Sequence, residues 1–301
     1  MTAGRWLRQV SLRVAMPAEE AARELLVRAT GLTPAVLSQP DKQQSIVSVY
    51  WEQGSPVPRL LRAELKAGLE AIAGCGLDIG PGTVAIRRVR RQDGADSWTR
   101  HFRTLKITDR LVVRPSWRSA VDERGVAEVV LDPGLSFGTG HHATTSFCLR
   151  QLVRLRVRGV QSLLDVGTGS GILAIAGAKL GYGSVRALDF DAEAVRTARA
   201  NARTNCVGKQ VRVAQQDVRA LPVVARRRFD VVCANLFIDL LLGQRDRIGA
   251  RVAEGGVLVL AGILREQFGR VRATYAAAGW QLERTGRRGE WQSGVFKRAG
   301  S

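Results

Sequence analysis

Residues 163–171 read Leu-Leu-Asp-Val-Gly-Thr-Gly-Ser-Gly, and no other stretch limits the fold so tightly. The apolar run Ser162–Val166 fits a buried parallel strand. Gly167, Gly169 and Gly171, at alternate positions, let the backbone turn sharply and approach a ligand with no side chain between. Ile172 to Leu180, apolar and alanine-rich, reads as a helix packed on the sheet. A second strand, Val185–Leu188, ends at Asp189, one of a carboxylate pair with Asp191. In a doubly wound sheet, a carboxylate at that strand end lies beside the glycine turn. There it can accept hydrogen bonds from both hydroxyls of a ribose.

The spacing narrows the ligand. The dinucleotide fingerprint is G-x-G-x-x-G, whereas this turn is G-x-G-x-G, and no lysine follows it as in a P-loop. A glycine turn without phosphate chemistry, opposite a ribose-binding acid, suits S-adenosylmethionine, an adenosine with a charged methionine tail and no phosphate. A purely structural glycine turn has the same spacing. The flanking strand and helix, together with Asp189, favour the cofactor. Two roles fit Asp165 equally well: a cap on the loop backbone, or a contact to the cofactor tail.

A length of 301 residues allows two ordinary domains, and 45% hydrophobic residues allow a normal core. No apolar run approaches the ~20 residues of a membrane span. The start of the chain, with Arg5, Trp6, Arg8 and Gln9, has no apolar leader, so a cytoplasmic protein is expected. Cys75, Cys148, Cys206 and Cys233 are widely spaced within segments read as helices or strands, as for reduced thiols. His101, His141 and His142 are too few for a metal site, and none is expected. The formal net charge is +19. An acidic partner such as RNA explains it, and so does a coding bias toward arginine. The runs Arg87-Arg88-Val89-Arg90-Arg91 and Arg226-Arg227-Arg228 lack interleaved aromatics. They fit a general electrostatic association with ribosomal RNA or a ribonucleoprotein better than specific base reading.

Along the chain, residues 6–15 alternate as a strand, and Pro17, Glu19 and Glu20 open a helix that stops near Gly31. Ser45–Trp51 is a second or third strand, Leu60–Ala73 a helix and Val84–Val89 a strand. Together they make a β-α-β-β-α-β, ferredoxin-like layout over residues 1–91. It holds no constellation of catalytic residue types and reads as a recognition domain. Residues 92–118 form a linker, although Leu105–Trp117 has β character. Residues 119–301 make the second domain. Its strands and helices alternate, which gives a mainly parallel sheet. The expected pieces are strands Val126–Leu131, Val211–Ala214, Phe229–Ala234 and Val257–Ala261, with a Gly255-Gly256 turn before the last. Helices follow at Thr144–Val157, Ala192–Asn205 and Gln267–Ala278. A terminal antiparallel pair, Gln281–Arg284 with Ser293–Lys297, completes it. Gly167, Asp189, Asp217 and Asn235 then share the carboxyl edge, where ligands bind in such sheets. The fold class is α/β: a Rossmann-like doubly wound sheet with an N-terminal α+β domain.

Several blocks from Trp98 onward resemble the PrmA family, class I methyltransferases that act on a ribosomal stalk-base protein. They are Trp98…His101-Phe102, Arg114-Pro115-Ser116-Trp117, Leu131-Asp132-Pro133-Gly134-Leu135-Ser136-Phe137-Gly138-Thr139-Gly140 and Thr144-Thr145. Asp165–Ala176, Ala234-Asn235, Ala261–Leu264 and Gly289-Glu290-Trp291 follow. The resemblance implies a protein N-methyltransferase for lysine or N-terminal amines of a ribosomal protein, with S-adenosylmethionine as cofactor. It implies cofactor contacts at Thr145, Gly167, Gly169, Asp189 and Asn235, and a monomer away from membranes. His142 matches the family histidine, with a loop-structural or a proton-transfer role. Asn235 is the candidate to orient the amine, or it contacts the cofactor alone. Phe137 walls the cofactor or fills core.

The chain departs from the family pattern in three places. His141-His142-Ala143 stands for Thr-His-Pro, Thr168 for Cys, and Asn235-Leu236-Phe237-Ile238 for Asn-Ile-Leu-Ala. The last borders the amine pocket. Lysines of another protein, or RNA, are the alternative targets.

Overall fold

The computed structural model describes residues 6–30, 32, 34–39, 42–52, 60–90, 104–121, 123–132, 142–157 and 159–298. It contains two compact units.

The first unit holds β1 (Trp6–Ala15), a helix Glu19–Thr30, β2 (Ala35–Gln39), β3 (Gln44–Glu52), a helix Leu61–Gly74 and β4 (Thr83–Arg90). The antiparallel sheet runs β2-β3-β1-β4. Alternation on β1 sends Val10, Leu12 and Val14 to one face. There they meet Ala22, Leu25 and Leu26 of the first helix and Leu61, Leu65 and Leu69 of the second, each helix with one apolar stripe. Glu19 and Glu20 occupy the first turn and favour the positive end of that helix. Strands β1, β3 and β4 lie where the sequence pattern puts them, whereas β2, only Ala-Val-Leu-Ser-Gln, is too short for its pattern to stand out.

The second unit begins at Thr104. Inside the segment read as a linker lie β5 (Leu105–Thr108) and β6 (Leu111–Arg114); with β7 (Ala127–Val130) they form a small sheet in which β6 is central, antiparallel to β5 and parallel to β7. Arg114 and Glu128 bridge β6 and β7 at 2.8 Å, and the guanidinium holds the Glu128 carboxyl below the usual carboxylate range.

The large sheet contains β8 (Ser162–Val166), β9 (Ser184–Asp189), β10 (Val211–Gln215), β11 (Phe229–Asn235), β12 (Val252–Leu264), β13 (Trp280–Arg288) and β14 (Trp291–Arg298). Its order is β10-β9-β8-β11-β12-β14-β13. The first five strands run parallel, β14 runs antiparallel to β12, and β13, antiparallel to β14, returns to the common direction. Helices Ala143–Leu155, Ile172–Lys179, Ala192–Thr204 and Arg265–Ala276 cover it. Successive residues of β8 feed opposite cores: Leu163 packs with Leu149, Ile175 and Val231, and Leu164 with Val232, Leu258 and Phe296. That two-sided burial explains why these strands read as continuous apolar runs.

Some sequence-based boundaries shift. Strand β12 runs straight through Gly255-Gly256, where a turn is expected from sequence, and absorbs them in a register shift against β11. Cys75 and Cys206 sit just past helix ends rather than inside elements, while Cys148 and Cys233 are buried. All four thiols are free. Among the described residues no helix is long and apolar enough to cross a membrane, and no His, Cys, Asp and Glu cluster could hold a metal.

Candidate cofactor site

Strand order reverses between β8 and β11, so the crevice beyond their carboxyl ends lies at the topological switch point. Gly167, Gly169 and Gly171 all take positive φ, 73°, 54° and 83°, and Gly171 caps the helix that follows. These backbone angles strain any residue with a side chain, and neighbours crowd two of the positions as well. A Cβ on Gly167 would lie 2.3 Å from Leu236 Cδ2, and one on Gly171 would lie 3.0 Å from Ala198 Cβ. Asn201 also holds the loop by donating to the Ser170 carbonyl at 2.8 Å.

Asp189 ends β9 facing this loop and is 8% exposed. Its Oδ2 accepts from the Gly169 N–H at 2.9 Å and its Oδ1 from the Asp191 N–H at 3.1 Å. A carboxylate offers about four acceptor positions, so two remain, the number a ribose diol needs. Asp191 plays a different part: it caps the next helix through the Glu193 N–H at 2.9 Å. Asp217, placed with the site from sequence, lies past the end of β10. It caps a 3-10 turn and pairs with Arg219 at 2.6 Å.

Asp165 is 1% exposed, and its Oδ2 accepts from the Thr168 hydroxyl at 2.6 Å. The threonine that replaces the family cysteine therefore donates a strong hydrogen bond within the loop. Burial pushes this carboxyl up to about 7, opposed by hydrogen bonds from Thr168 and the Ala174 backbone and reinforced by the charge of Asp189. An acid raised in the folded state stabilises the fold fully below its unfolded value, and that stability is lost as pH rises through the folded value. The melting temperature is therefore expected to fall by several degrees from pH 5 to pH 8. Asp165→Asn should flatten that slope in calorimetric melts, and an unchanged slope would assign it to other groups.

The opposite wall is built from β11 and the helix Ala143–Leu155. Asn235 ends β11 and donates from Nδ2 to Thr145 Oγ1 in a long bond of 3.5 Å, leaving Oδ1 as the acceptor. Gly262 explains how the amide fits. It sits in an irregular stretch of β12 with φ 82°, and a Cβ there would lie 2.5 Å from the Leu236 carbonyl oxygen and 3.1 Å from Asn235 Oδ1. The Ala-Gly-Ile-Leu motif was visible in the sequence, but this role was not. Phe237, the next side chain but one after Asn235, is 80% exposed.

His142 is the helix N-cap. Its Nδ1 lies 2.7 Å from the Thr144 hydroxyl, and its ring meets Trp291 edge-on with centroids 4.8 Å apart. Two motifs nearly 150 positions apart thus touch. Ser116 binds Asp132 twice, through its N–H at 2.6 Å and its hydroxyl at 2.8 Å. Asn205 clamps the edge of β7, accepting from the Val130 N–H and donating to its carbonyl, both at 2.7 Å. Phe137, His141, Trp98, His101 and most of the Asp-Pro-Gly block lie outside the described residues.

The crevice fits S-adenosylmethionine. Its glycine floor admits close backbone approach, its acid keeps two acceptor positions, and no basic side chain lies in the loop to meet a phosphate. Gly167, Gly169 and Asp189 could hold the adenosine, with Thr145 and Asn235 across the crevice.

Comparison with known proteins agrees. The family model described as ribosomal protein L11 methyltransferase (PrmA) matches residues 6–299. A protein named ribosomal protein L11 methyltransferase from Desulforapulum autotrophicum is 38% identical over 263 residues, 87% of this chain and 82% of that protein. One of the same name from Streptococcus uberis is 31% identical over 96% of this chain and 95% of its own length. Among solved structures, a ribosomal protein L11 methylase from Lactobacillus delbrueckii subsp. bulgaricus is 28% identical with a TM-score of 0.59. It covers 66% of this chain and 100% of its own. A match from near one terminus to near the other, in step with the strand order and the glycine turn, makes this chain a member of the PrmA family of class I methyltransferases.

Proposed function

We propose that this chain transfers methyl groups from S-adenosylmethionine to lysine or N-terminal amines of ribosomal protein L11. The observation that supports this most is the facing of Asp189 and the glycine loop across the switch point from Asn235. One wall suits a ribose, and the other presents an amide acceptor. When bound, the cofactor supplies a methyl group already activated by its sulfonium, so the chain's own work is positioning.

The amine must arrive neutral. Lysine has a pKa near ~10.4, so deprotonating it at neutral pH costs about 4–5 kcal/mol unless the site lowers that value. Removal from water and the nearby positive charge both do so. Asn235 Oδ1 accepts a hydrogen bond from the amine and aims its lone pair. Thr145 holds the amide in that orientation, and His142, braced by Trp291, shapes the entrance. Water carries the proton away, so no strong base is required. The first unit, without a cluster of catalytic types, recognises the protein substrate. The positive field of the chain favours a target carried on a ribonucleoprotein.

Gly262→Ala tests the orientation step. The added methyl displaces Asn235, and misplacement on the 1 Å scale costs about 10²-fold in rate. Turnover should fall by about that factor while calorimetric affinity for S-adenosylmethionine changes less than about threefold. Equal losses in both would make Asn235 a cofactor contact only. For the function itself, methyl-labelled cofactor is incubated with purified ribosomal protein L11 and, separately, with ribosomal RNA. Label in the protein's amines is the expected result. Label in RNA, or only in a different ribosomal protein, would replace this reading.

A further inference from the structure

The positive charge is not spread evenly. Arg186 on β9 and Arg212 on β10 are register partners on adjacent parallel strands. Their side chains therefore leave the same face, about 5 Å apart at the backbone. Like charges directly opposite each other on a sheet are destabilising. Arg227 joins them: its Nη2 donates to Ser184 Oγ at 2.8 Å, two residues before Arg186, and its guanidinium lies 5.5 Å from the Phe229 ring.

Among the described residues none of the three forms an ion pair. The carboxylates nearest in sequence are engaged elsewhere: Asp230 by the Ser162 N–H and hydroxyl, both at 2.7 Å, Asp189 by the Gly169 and Asp191 N–H groups, and Asp217 by Arg219. Elsewhere arginines do find acids, as Arg219 does at Asp217 and Arg245 at Asp246. The Arg186 Nε is buried with no hydrogen-bond partner. Burial, then the charges of Arg227 and Arg212, press its guanidinium below its ordinary value. Arg226 and Arg228, both exposed, flank Arg227 in the sequence.

We propose that Arg186, Arg212 and Arg227 form a binding surface for the phosphodiester backbone of RNA. The planar guanidinium fork matches phosphate oxygens, and a phosphate among the three relieves their repulsion. Residues 223–228, which lead into Arg227 and past it, hold no aromatic on which a base could stack. Recognition is therefore of backbone charge, not sequence. Ser184 opens β9 and Arg227 precedes β11, so the cluster lies toward the strand ends opposite the glycine loop. RNA held there leaves the crevice open. The choice of RNA over other polyanions rests on the proposed ribosomal substrate.

The test uses the full chain and a fluorescent RNA hairpin, with anisotropy titrations from 50 to 300 mM KCl. The variant R186Q/R212Q/R227Q is compared with R154Q/R270Q/R272Q, which removes the same charge from exposed helical positions. Each lost phosphate contact removes about 0.7–0.9 from the slope of log affinity against log salt. The cluster variant should bind at least about tenfold more weakly at 100 mM KCl, with a slope shallower by about 2, while the control stays within about threefold of wild type. Wild-type-like binding by the cluster variant overturns the proposal, as do equal losses in both variants or absence of RNA binding by the wild type. Loss of binding to phosphatidylserine vesicles without loss of RNA binding also overturns it. S-adenosylmethionine affinity is the folding control. If R186Q disturbs it, R212Q/R227Q carries the comparison. Failure of methyl transfer by the wild type would sink the functional reading and leave this result legible.

Discussion

Asp189→Ala is expected to bind S-adenosylmethionine at least about a hundredfold more weakly than the wild type in isothermal titration calorimetry. Hydrogen bonds to a charged group contribute about 1.5–3 kcal/mol each. Losing two from a ribose amounts to about 3–6 kcal/mol, and each 1.4 kcal/mol is about tenfold. The same substitution releases the N–H groups of Gly169 and Asp191, which the carboxylate now holds at 2.9 and 3.1 Å, so the loop loses an anchor too. Asp189→Asn separates charge from shape. It keeps one acceptor oxygen but turns an amide N–H toward a backbone N–H, so it should also bind weakly while melting near the wild-type temperature. Unchanged affinity in either variant would move the ribose elsewhere.

The second large effect concerns the first unit. Removing residues 1–91 should leave S-adenosylmethionine affinity within about threefold and reduce methylation of intact ribosomal protein L11 below detection. The reason lies in the partition of cores. Val10, Leu12, Val47, Leu61 and Leu65 belong to a cluster confined to the first unit. Gly167, Asp189, Thr145 and Asn235 all lie on elements of the second unit, backed by its own two clusters. Binding energy from surfaces distant from the reacting atoms is what a protein-modifying enzyme uses to place its target. Slow methylation of a short lysine peptide by the truncated chain would fit. Full activity on the intact protein would assign recognition to the second unit instead.

How much of this was legible in the sequence depends on how local each determinant is. The glycine turn and Asp189 were readable because backbone freedom and strand alternation are properties of a few adjacent residues. The parallel sheet followed from continuous apolar strands such as Phe229–Asn235, which bury both faces. Contacts between distant segments were not readable. His142 meets Trp291, Asn205 clamps Val130, and Gly262 makes room for Asn235, and no spacing rule links those positions. Nor could pattern alone separate the two aspartates of Asp189-Phe190-Asp191: one faces the loop and the other caps a helix, a division set by where the strand stops. Strands β5 and β6, behind the β character of Leu105–Trp117, are four residues each, too short for pattern alone to bound them, and they gain stability from the sheet order β5-β6-β7 rather than from their own sequence.

The central claim is that one crevice seats the adenosine of S-adenosylmethionine and aims its methyl at an amine of ribosomal protein L11. Mass spectrometry of ribosomal proteins, from cells with and without this chain, tests it most directly. The account predicts that ribosomal protein L11 carries extra methyl groups on lysine or N-terminal amines only when the chain is present, and that Asp189→Ala fails to restore them. An identical mass for that protein in both cell types would contradict it.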